Sequence, residues 1–566
     1  STIFTAIMNN YEIADIFSLL SKLMDIHQEN SFKAKSYSSA AFTIEKLPTQ
    51  LTDIQQNKIF SIKGIGESVG QKIIELLSTG KLSSLEEYIN KTPKGVIEML
   101  NIKGIGPKKI ATIWHEMNIE TVGELLYACT ENRLTRFKGF GEKTQQTVKE
   151  NIEFYLGNMG SYLYQQIESY ANKMNELFVK EFADDLFVIT GEFRRQLEII
   201  EKLEWVTTTA NENLIAFFEK NNYKKVKEET GYISFKGQEN VLLGFYLTDE
   251  EQLHNQLFAT SCSEEFLNEW INETGCDFSN AYSSEEEIFE DCNCSFIPAY
   301  LRETGTAIAQ ALSYQLPTVI QPNDVKGIIH SHSNWSDGVN TIEEMANACI
   351  NKGLEYLVIS DHSKTAAYAQ GLQVERVLAQ HQLIDELNKK LFPFKIFKSI
   401  ESDILSDGSL DYENEILNQF DIVIASIHSN LKMTEEKAMM RLMNAITNPY
   451  TSILGHMTGR LLLSRNGYPV NHSTIIDTCK QHNVVIELNA HPRRLDIDWR
   501  YIQEALTKNV LISINPDAHA IDGYDDCKYG VYAAQKAGLS KEQNLSSFSL
   551  EQFEEFVEMQ KQKRGS

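Results

Sequence analysis

Between residues 327 and 519, one short apolar run after another ends on a histidine or an acidic side chain. VKGIIHSHSNWSDG ends on His330, His332 and Asp337; YLVISDHS on Asp361 and His362; FKIFKSIESD on Glu401; DIVIASIHS on His428; TSILGHMTGR on His456; VLISINPDAH on Asp517 and His519. Ten of the chain's 13 histidines lie after residue 300. Side chains at i and i+2 of a strand share a face, so His330 points with His332, and Asp517 with His519. Helical segments are expected between these strands, near 373–390, 434–446 and 472–481. Alternation of this kind predicts an α/β barrel whose ligating residues meet at the C-terminal ends of its strands, as a multinuclear metal site. His381, His472 and His482 fall on helical segments and are read as surface residues.

At 566 residues the chain exceeds the size of one hydrophobic core, so several domains are expected. Mean hydropathy is −0.30, and no apolar run is long enough to span a bilayer. The first residues lack the pattern of a secretory signal, so a cytoplasmic protein is expected. Eight cysteines scattered along the chain are read as reduced thiols. The net charge of −25 is unevenly placed. Residues 1–150 carry 18 Lys+Arg against 17 Asp+Glu, whereas residues 151–300 carry 10 against 28, with no Lys or Arg at all from 251 to 300. The near-neutral first part can meet nucleic acid; the acidic middle repels it, and its run SSEEEIFED is read as a solvated face or a site for a basic protein.

Three segments of the first part repeat one pattern: FSIKGIGESVGQKIIEL, LNIKGIGPKKIATIWHEM and LTRFKGFGEKTQQTVKENI. Each places Gly-apolar-Gly before a lysine-bearing amphipathic helix, which is the helix-hairpin-helix pattern. The glycines Gly64, Gly66, Gly104, Gly106, Gly139 and Gly141 allow a tight turn whose backbone N–H groups can hold a phosphate at a helix start. Lys72, Lys108 and Lys143 flank these turns, and Lys33 and Lys35 open an earlier helix, NSFKAKSYSSAAFTIEKL. Contacts of this sort read the DNA backbone and carry no sequence specificity.

This order of segments resembles the bacterial and archaeal type of family X DNA polymerase with a C-terminal PHP domain. The resemblance implies a multidomain α+β fold: a helical helix-hairpin-helix N-terminal region, a nucleotidyltransferase-like palm and thumb, and a PHP domain built as a distorted TIM-like β/α barrel. The boundaries expected are 1–84 for a small DNA-binding, lyase-like domain, 85–152 for a fingers-like domain, 153–252 for the palm, 253–317 for the thumb, 318–327 for a linker and 328–566 for the PHP domain. In some relatives a lysine at the position of Lys72 attacks abasic sugar. A palm of this family needs three aspartates for two Mg2+ ions. Here GEFRRQLEIIEKLEWVTTT puts Lys202 and Glu204 in the first two places, VLLGFYLT puts Gly244 in the third, and the nucleotide-binding segment reads FATSCS. Loss of polymerase activity is therefore expected.

The C-terminal motifs match those of the PHP domain. By resemblance, one ion takes His330, His332, Glu401 and Asp517; a second takes Glu401, His428 and His456; a third takes Asp337, His362 and His519. Three divalent ions are expected, of Mn2+, Zn2+ or Fe2+. The implied chemistry is metal-assisted phosphodiester hydrolysis, with Glu401 shared by two ions, the third ion and Arg460, from HMTGR, binding phosphate and stabilising the leaving oxygen, and His519 counted with Glu401 and Arg460 as catalytic. Asp361 is read as orienting a ligand, and His491, Glu487 and Asn489 as substrate or supporting groups. The function expected is a 3′–5′ exonuclease or 3′-end processing phosphodiesterase of DNA repair, acting as a monomer on gapped, nicked or 3′-ended DNA, with repair proteins as further partners. The alternatives are an active gap-filling polymerase with a PHP nuclease, a DNA-binding scaffold, and a small-molecule phosphoesterase of the histidinol-phosphatase kind.

Overall fold

The computed structural model describes residues 8 and 10–565, apart from Pro48, Asn158, Gln238 and Glu239. The chain divides into two units, residues 1–130 with 134–155, and residues 131–133 with 156–566. No helix among the described residues is long and apolar enough to cross a membrane.

The described residues of the first unit form helices and turns. In each of its three glycine repeats the first glycine takes a left-handed φ: +95° at Gly64, +88° at Gly104 and +92° at Gly139. A side chain there would be strained, which is why glycine is needed. The residue between the glycines, Ile65, Ile105 or Phe140, is buried and anchors the turn. Gly66 and Gly106 then start the helices Glu67–Thr79 and Pro107–His115, and Gly141 precedes Glu142–Leu156.

In the second unit a five-stranded mixed sheet comes first. Its strands run side by side in the order Phe187–Thr190, Lys202–Thr207, Leu242–Leu247, Tyr232–Lys236, Lys224–Glu229. Only Lys202–Thr207 and Leu242–Leu247 pair in parallel. The helices Tyr164–Glu181 and Asn211–Lys220 cover the sheet through a largely aromatic core that includes Phe178, Trp205, Phe218 and Phe245. A helical cluster over 253–312 follows, with its own core around Phe258, Trp270 and Phe289. Its acidic run is not simply a solvated face. Glu285, at the start of the helix Glu285–Asp291, is buried and paired with the fully buried Arg302.

From residue 327 the chain alternates strand and helix. The helices Val374–Leu391, Glu435–Thr447 and His472–Gln481 fall where the periodicity places them. Parallel pairing runs from Gly327–Ile328 through Tyr356–Ile359 to Lys395–Lys398, and from Glu401–Asp403 through Ile424–Ser426, Ile453–Leu454 and Val485–Asn489 to Ile512–Asn515. Parallel bridges between Ser331 and Ala518, and between His362 and Glu401, join the two sheets at both edges. Because Lys395–Lys398 and Glu401–Asp403 are successive parts of one strand, the sheets close into a ring. Near-continuous apolar runs such as YLVI are buried on both faces, as a barrel wall requires. One face meets the surrounding helices. The other forms a second core, where Ile329, Val358 and Ile424 meet Phe553, Phe556 and Val557 of the last helix, Leu550–Lys563. The connector before the barrel is tied to it, since the N–H of Ile320 donates to Leu539 and that of Lys326 to Ser546. His381 is not on the surface: it is buried beside Phe420, with ring centroids 4.9 Å apart, and burial lowers its pKa to about 4.

Candidate metal centre

The strand ends bring all the expected ligand side chains to one place. Glu401 stands at its middle. Its Oε1 lies 3.0 Å from His428 Nε2 and 2.9 Å from His456 Nε2, while its Oε2 lies 3.3 Å from His330 Nε2, 3.5 Å from His332 Nε2 and 3.2 Å from His362 Nδ1. Asp517 Oδ1 closes the first group, 3.4 Å from His330 Nε2 and 3.0 Å from His332 Nε2. Beside it, Asp337 reaches His362 Nε2 at 3.5 Å and His519 Nε2 at 3.4 Å. His332 is stacked between the rings of His362 and His519, each 4.3 Å away. Asp517 takes a left-handed backbone, φ +52°, a conformation that aspartate tolerates better than most residues; its carboxylate lies beside His330 and His332, and its backbone carbonyl is 3.0 Å from His519 Nδ1.

These side chains suit divalent ions. Donor atoms around a tetrahedral ion with bonds of about 2.0–2.2 Å stand roughly 3.4 Å apart, close to the separations seen. Three sets have mutually close donors: His330, His332, Glu401 and Asp517; His332, Asp337, His362 and His519; His362, Glu401 and His428. His332 and His362 thus each stand between two sets, beyond the roles expected for them. Several donors, including His330 Nε2, both nitrogens of His362 and Glu401 Oε2, are buried without a hydrogen-bond partner. Unmet donors and acceptors in that number mark a ligand site.

Outer partners fix the rings. His330 Nδ1 meets Glu487 Oε2 at 2.7 Å, and that carboxylate also accepts from Asn489, Asn515 and the backbone of His456. His428 Nδ1 meets Asp403 Oδ1 at 2.6 Å. Asp361 does not reach the donors; it accepts from Ser333, Ser336 and Gln380 and so pins the His332–Asp337 loop. Asp403 went unrecognised in the sequence, although it follows Glu401 by two residues and so shares its face of the strand.

Electrostatics follow from this crowding. Burial opposes the charge on Glu401, Asp337 and Asp517, but neighbouring imidazoles hold all three well below the usual carboxylate range. Burial likewise opposes charge on His428 and His519, yet Glu401 and Asp403 push the first up to about 10, and Asp337 pushes the second up to about 10. A cation entering the site therefore takes the place of protons. The Asp403→Asn substitution keeps the shape but removes the anion behind His428. It is expected to weaken Mn2+ binding by about 10- to 100-fold, as loss of such partners usually does, measured by isothermal titration.

Arg460 is placed differently from expectation. Its guanidinium is 2.7 Å from Asp498 and also donates to the carbonyls of Arg494 and Leu495, so it braces the 494–498 loop. The side chain beside the ligands is Arg494, whose Nε lies 3.9 Å from Asp517. His491 Nδ1 accepts the N–H of Arg493 and thereby shapes the same loop. In the first unit Lys33, Lys35, Lys108 and Lys143 are exposed, and Lys72 Nζ lies 3.1 Å from Ser84 Oγ.

Lys202, Glu204 and Gly244, the positions read from the sequence as those of the palm carboxylates, lie together on the mixed sheet. Glu204 pairs in register with Gly244 on the parallel neighbour. Its carboxylate is buried, 2.7 Å from Lys202 Nζ and 3.0 Å from the hydroxyl of Tyr246. A Cβ on Gly244 would stand 2.4 Å from the Tyr232 hydroxyl, so a tyrosine fills the space a side chain there would need. Arg194 is paired with Glu285, and Arg195 lies 3.1 Å from Glu303.

Comparison with known proteins agrees with this architecture. A helix-hairpin-helix domain matches residues 8–82, a SAM-like helix-hairpin-helix tandem matches 96–153, and a PHP domain matches 329–491. The DNA polymerase/3′-5′ exonuclease PolX of Bacillus subtilis (strain 168) is 31% identical over 97% of this chain and 99% of its own length. Two bacterial probable phosphatases match shorter stretches of the chain. That of Caldanaerobacter subterraneus is 30% identical over 28% of this chain and 60% of its own; that of Thermoanaerobacter sp. is 26% identical over 42% and 96%. With a relative at this identity aligned from end to end, the chain belongs to the PolX family, the family X DNA polymerases that carry a C-terminal PHP domain.

Proposed function

We propose that this protein is a metal-dependent 3′–5′ exonuclease, or 3′-end processing phosphodiesterase, of DNA, and that its palm no longer polymerises. The observation that carries the first half is the position of Glu401, whose two oxygens face separate groups of imidazoles inside a complete set of buried donors. Three divalent ions held there would supply Lewis acidity toward a phosphodiester and a water of lowered pKa. Glu401 would be shared by two ions, one held with Asp517 and the His330/His332 pair and another with His428 and His456, while Asp337, His362 and His519 would hold a third. Glu487 and Asp403 keep the rings of His330 and His428 aimed inward. The glycine turns of the first unit supply N–H groups for the DNA backbone. The same reading keeps the domain boundaries at 84, 152, 252, 317 and 327.

The second half rests on charge. An ammonium at Lys202 repels a cation, the lone carboxylate of Glu204 is already paired with it, and Tyr232 fills the place at Gly244. The arginines in line for a triphosphate are engaged by Glu285 and Glu303. Incubation of 3′-recessed and gapped DNA with Mn2+, with and without dNTPs, tests both halves on one gel. The primer is expected to shorten in both lanes and to lengthen in neither. Extension would sink the argument for the palm, and an intact primer despite bound metal would sink the nuclease. Release of phosphate from 3′-phosphate ends alone would favour a phosphatase. A His428→Ala protein that still degrades DNA would expose a contaminant.

A further inference from the structure

Against the metal centre lies a cleft of about 530 Å3, whose walls include Thr365, Tyr368, Asp403, Leu405, Asp407 and Ser429. Its volume falls within the roughly 300–1,000 Å3 usual for small-molecule sites. Asp403 belongs to both places: one oxygen holds His428 Nδ1 at 2.6 Å and the other accepts from Thr365 Oγ1 at 2.9 Å. Tyr368 stands with its ring centroid 6.1 Å from that of His362. We propose that this cleft binds the deoxynucleoside, sugar and base together, of the 3′-terminal nucleotide while its 5′ phosphate sits at the metal centre. This rests on the hydrolase proposed above.

Three observations point to a nucleoside over another phosphate. Among the described residues no lysine or arginine lines the cleft and two carboxylates do, with Arg133 stacked behind the Tyr368 ring at 4.7 Å as the nearby cation, so on balance an anion meets an unfavourable field. Hydroxyl and N–H donors, which sugars and bases carry, meet acceptors at Asp407 and Ser429, and Leu405 offers an apolar contact. The hydroxyl of Tyr368 is buried and has no hydrogen-bond partner among the described residues, as expected of a group whose partner is a ligand. Thr365 is fixed from behind by Asp411, which accepts its backbone N–H at 2.8 Å and shares its single hydroxyl proton with Asp403, so the wall is set before anything binds. A site that takes one nucleoside next to the scissile phosphate selects a strand end.

The test is isothermal titration of the full-length protein in excess Mn2+ with dAMP and, separately, with inorganic phosphate, for the native chain and for Ser429→Trp and Ser406→Trp. Both serines are exposed on the cleft wall; neither is a donor, and Ser429 directly follows His428. In the native protein dAMP is expected to bind at least about tenfold more tightly than phosphate, the share of one or two good hydrogen bonds. Both tryptophan variants are expected to lose that margin while phosphate affinity stays unchanged, which also shows that the metal centre has folded. Equal binding of dAMP and phosphate by the native protein, no binding of either, a margin that survives in both variants, or a parallel fall in phosphate affinity overturns the proposal. If the gel shows no cleavage but dAMP keeps its margin, the exonuclease reading fails and the nucleoside site stands. If DNA is cleaved but dAMP has no margin over phosphate, the exonuclease stands and the nucleoside site fails.

Discussion

Glutamine in place of Glu401 is expected to lower DNA cleavage by about 10³-fold or more, on the order of 4 kcal/mol of transition-state stabilisation. The amide has nearly the shape of the carboxylate but neither its charge nor two acceptor oxygens. Oε1 faces His428 and His456, while Oε2 faces His330, His332 and His362, so one substitution weakens two ion positions at once. The expected pattern is loss of cleavage together with loss of bound Mn2+. Fluorescence anisotropy on gapped DNA is expected to show unchanged affinity, because the glycine turns belong to a separate unit of the chain. Cleavage within a few-fold of the native rate would remove Glu401 from the chemistry.

The ligand set was legible in the sequence because a strand repeats every two residues and a barrel gathers strand ends. Each apolar run therefore announced both its own fold and the place of its last residue. The glycine turns were legible for a similar reason, since positive φ at Gly64, Gly104 and Gly139 demands the residue found there. What the sequence hid was pairing over long separations. Nothing around HMTGR shows that Arg460 is spoken for by Asp498 and two carbonyls of a later loop. His381 did carry a signal of its burial: Val377, His381 and Ile384 follow the helical repeat, which puts the histidine on the buried stripe. Glu285 looked like one carboxylate in an acidic run, and its partners lie at positions 194 and 302.

That buried carboxylate sets the second large effect. Arg302 is fully buried, with Nη1 2.7 Å from Glu285 Oε1 and its guanidinium 4.9 Å from the centroid of Phe258 and 5.2 Å from that of Phe289. Arg194 approaches the other oxygen. Glu285→Ala leaves the Arg302 charge inside an aromatic core without its counter-ion, a change that costs about 3–5 kcal/mol when one partner of a buried pair is removed. Urea denaturation followed by tryptophan fluorescence is expected to show an early transition for the helices around Trp270. Burial alone would raise the pKa of Glu285, but Arg194 and Arg302 outweigh it and hold it below the ordinary value. A carboxyl whose folded value is depressed contributes stability that is present above its unfolded pKa of about 4.5 and lost as pH falls through the folded value. The native and Glu285→Ala proteins should therefore differ most at neutral pH and converge in acid below the carboxylate range. A difference that stays constant into acid would show that the helix Glu285–Asp291 matters for packing alone. Glu285→Ala also removes one partner of Arg194, whose guanidinium still donates to Ser261 Oγ at 2.6 Å. On the proposed reading of the palm, with Lys202 paired to Glu204 and Tyr232 packed against Gly244, primer extension is still expected to be absent in that variant.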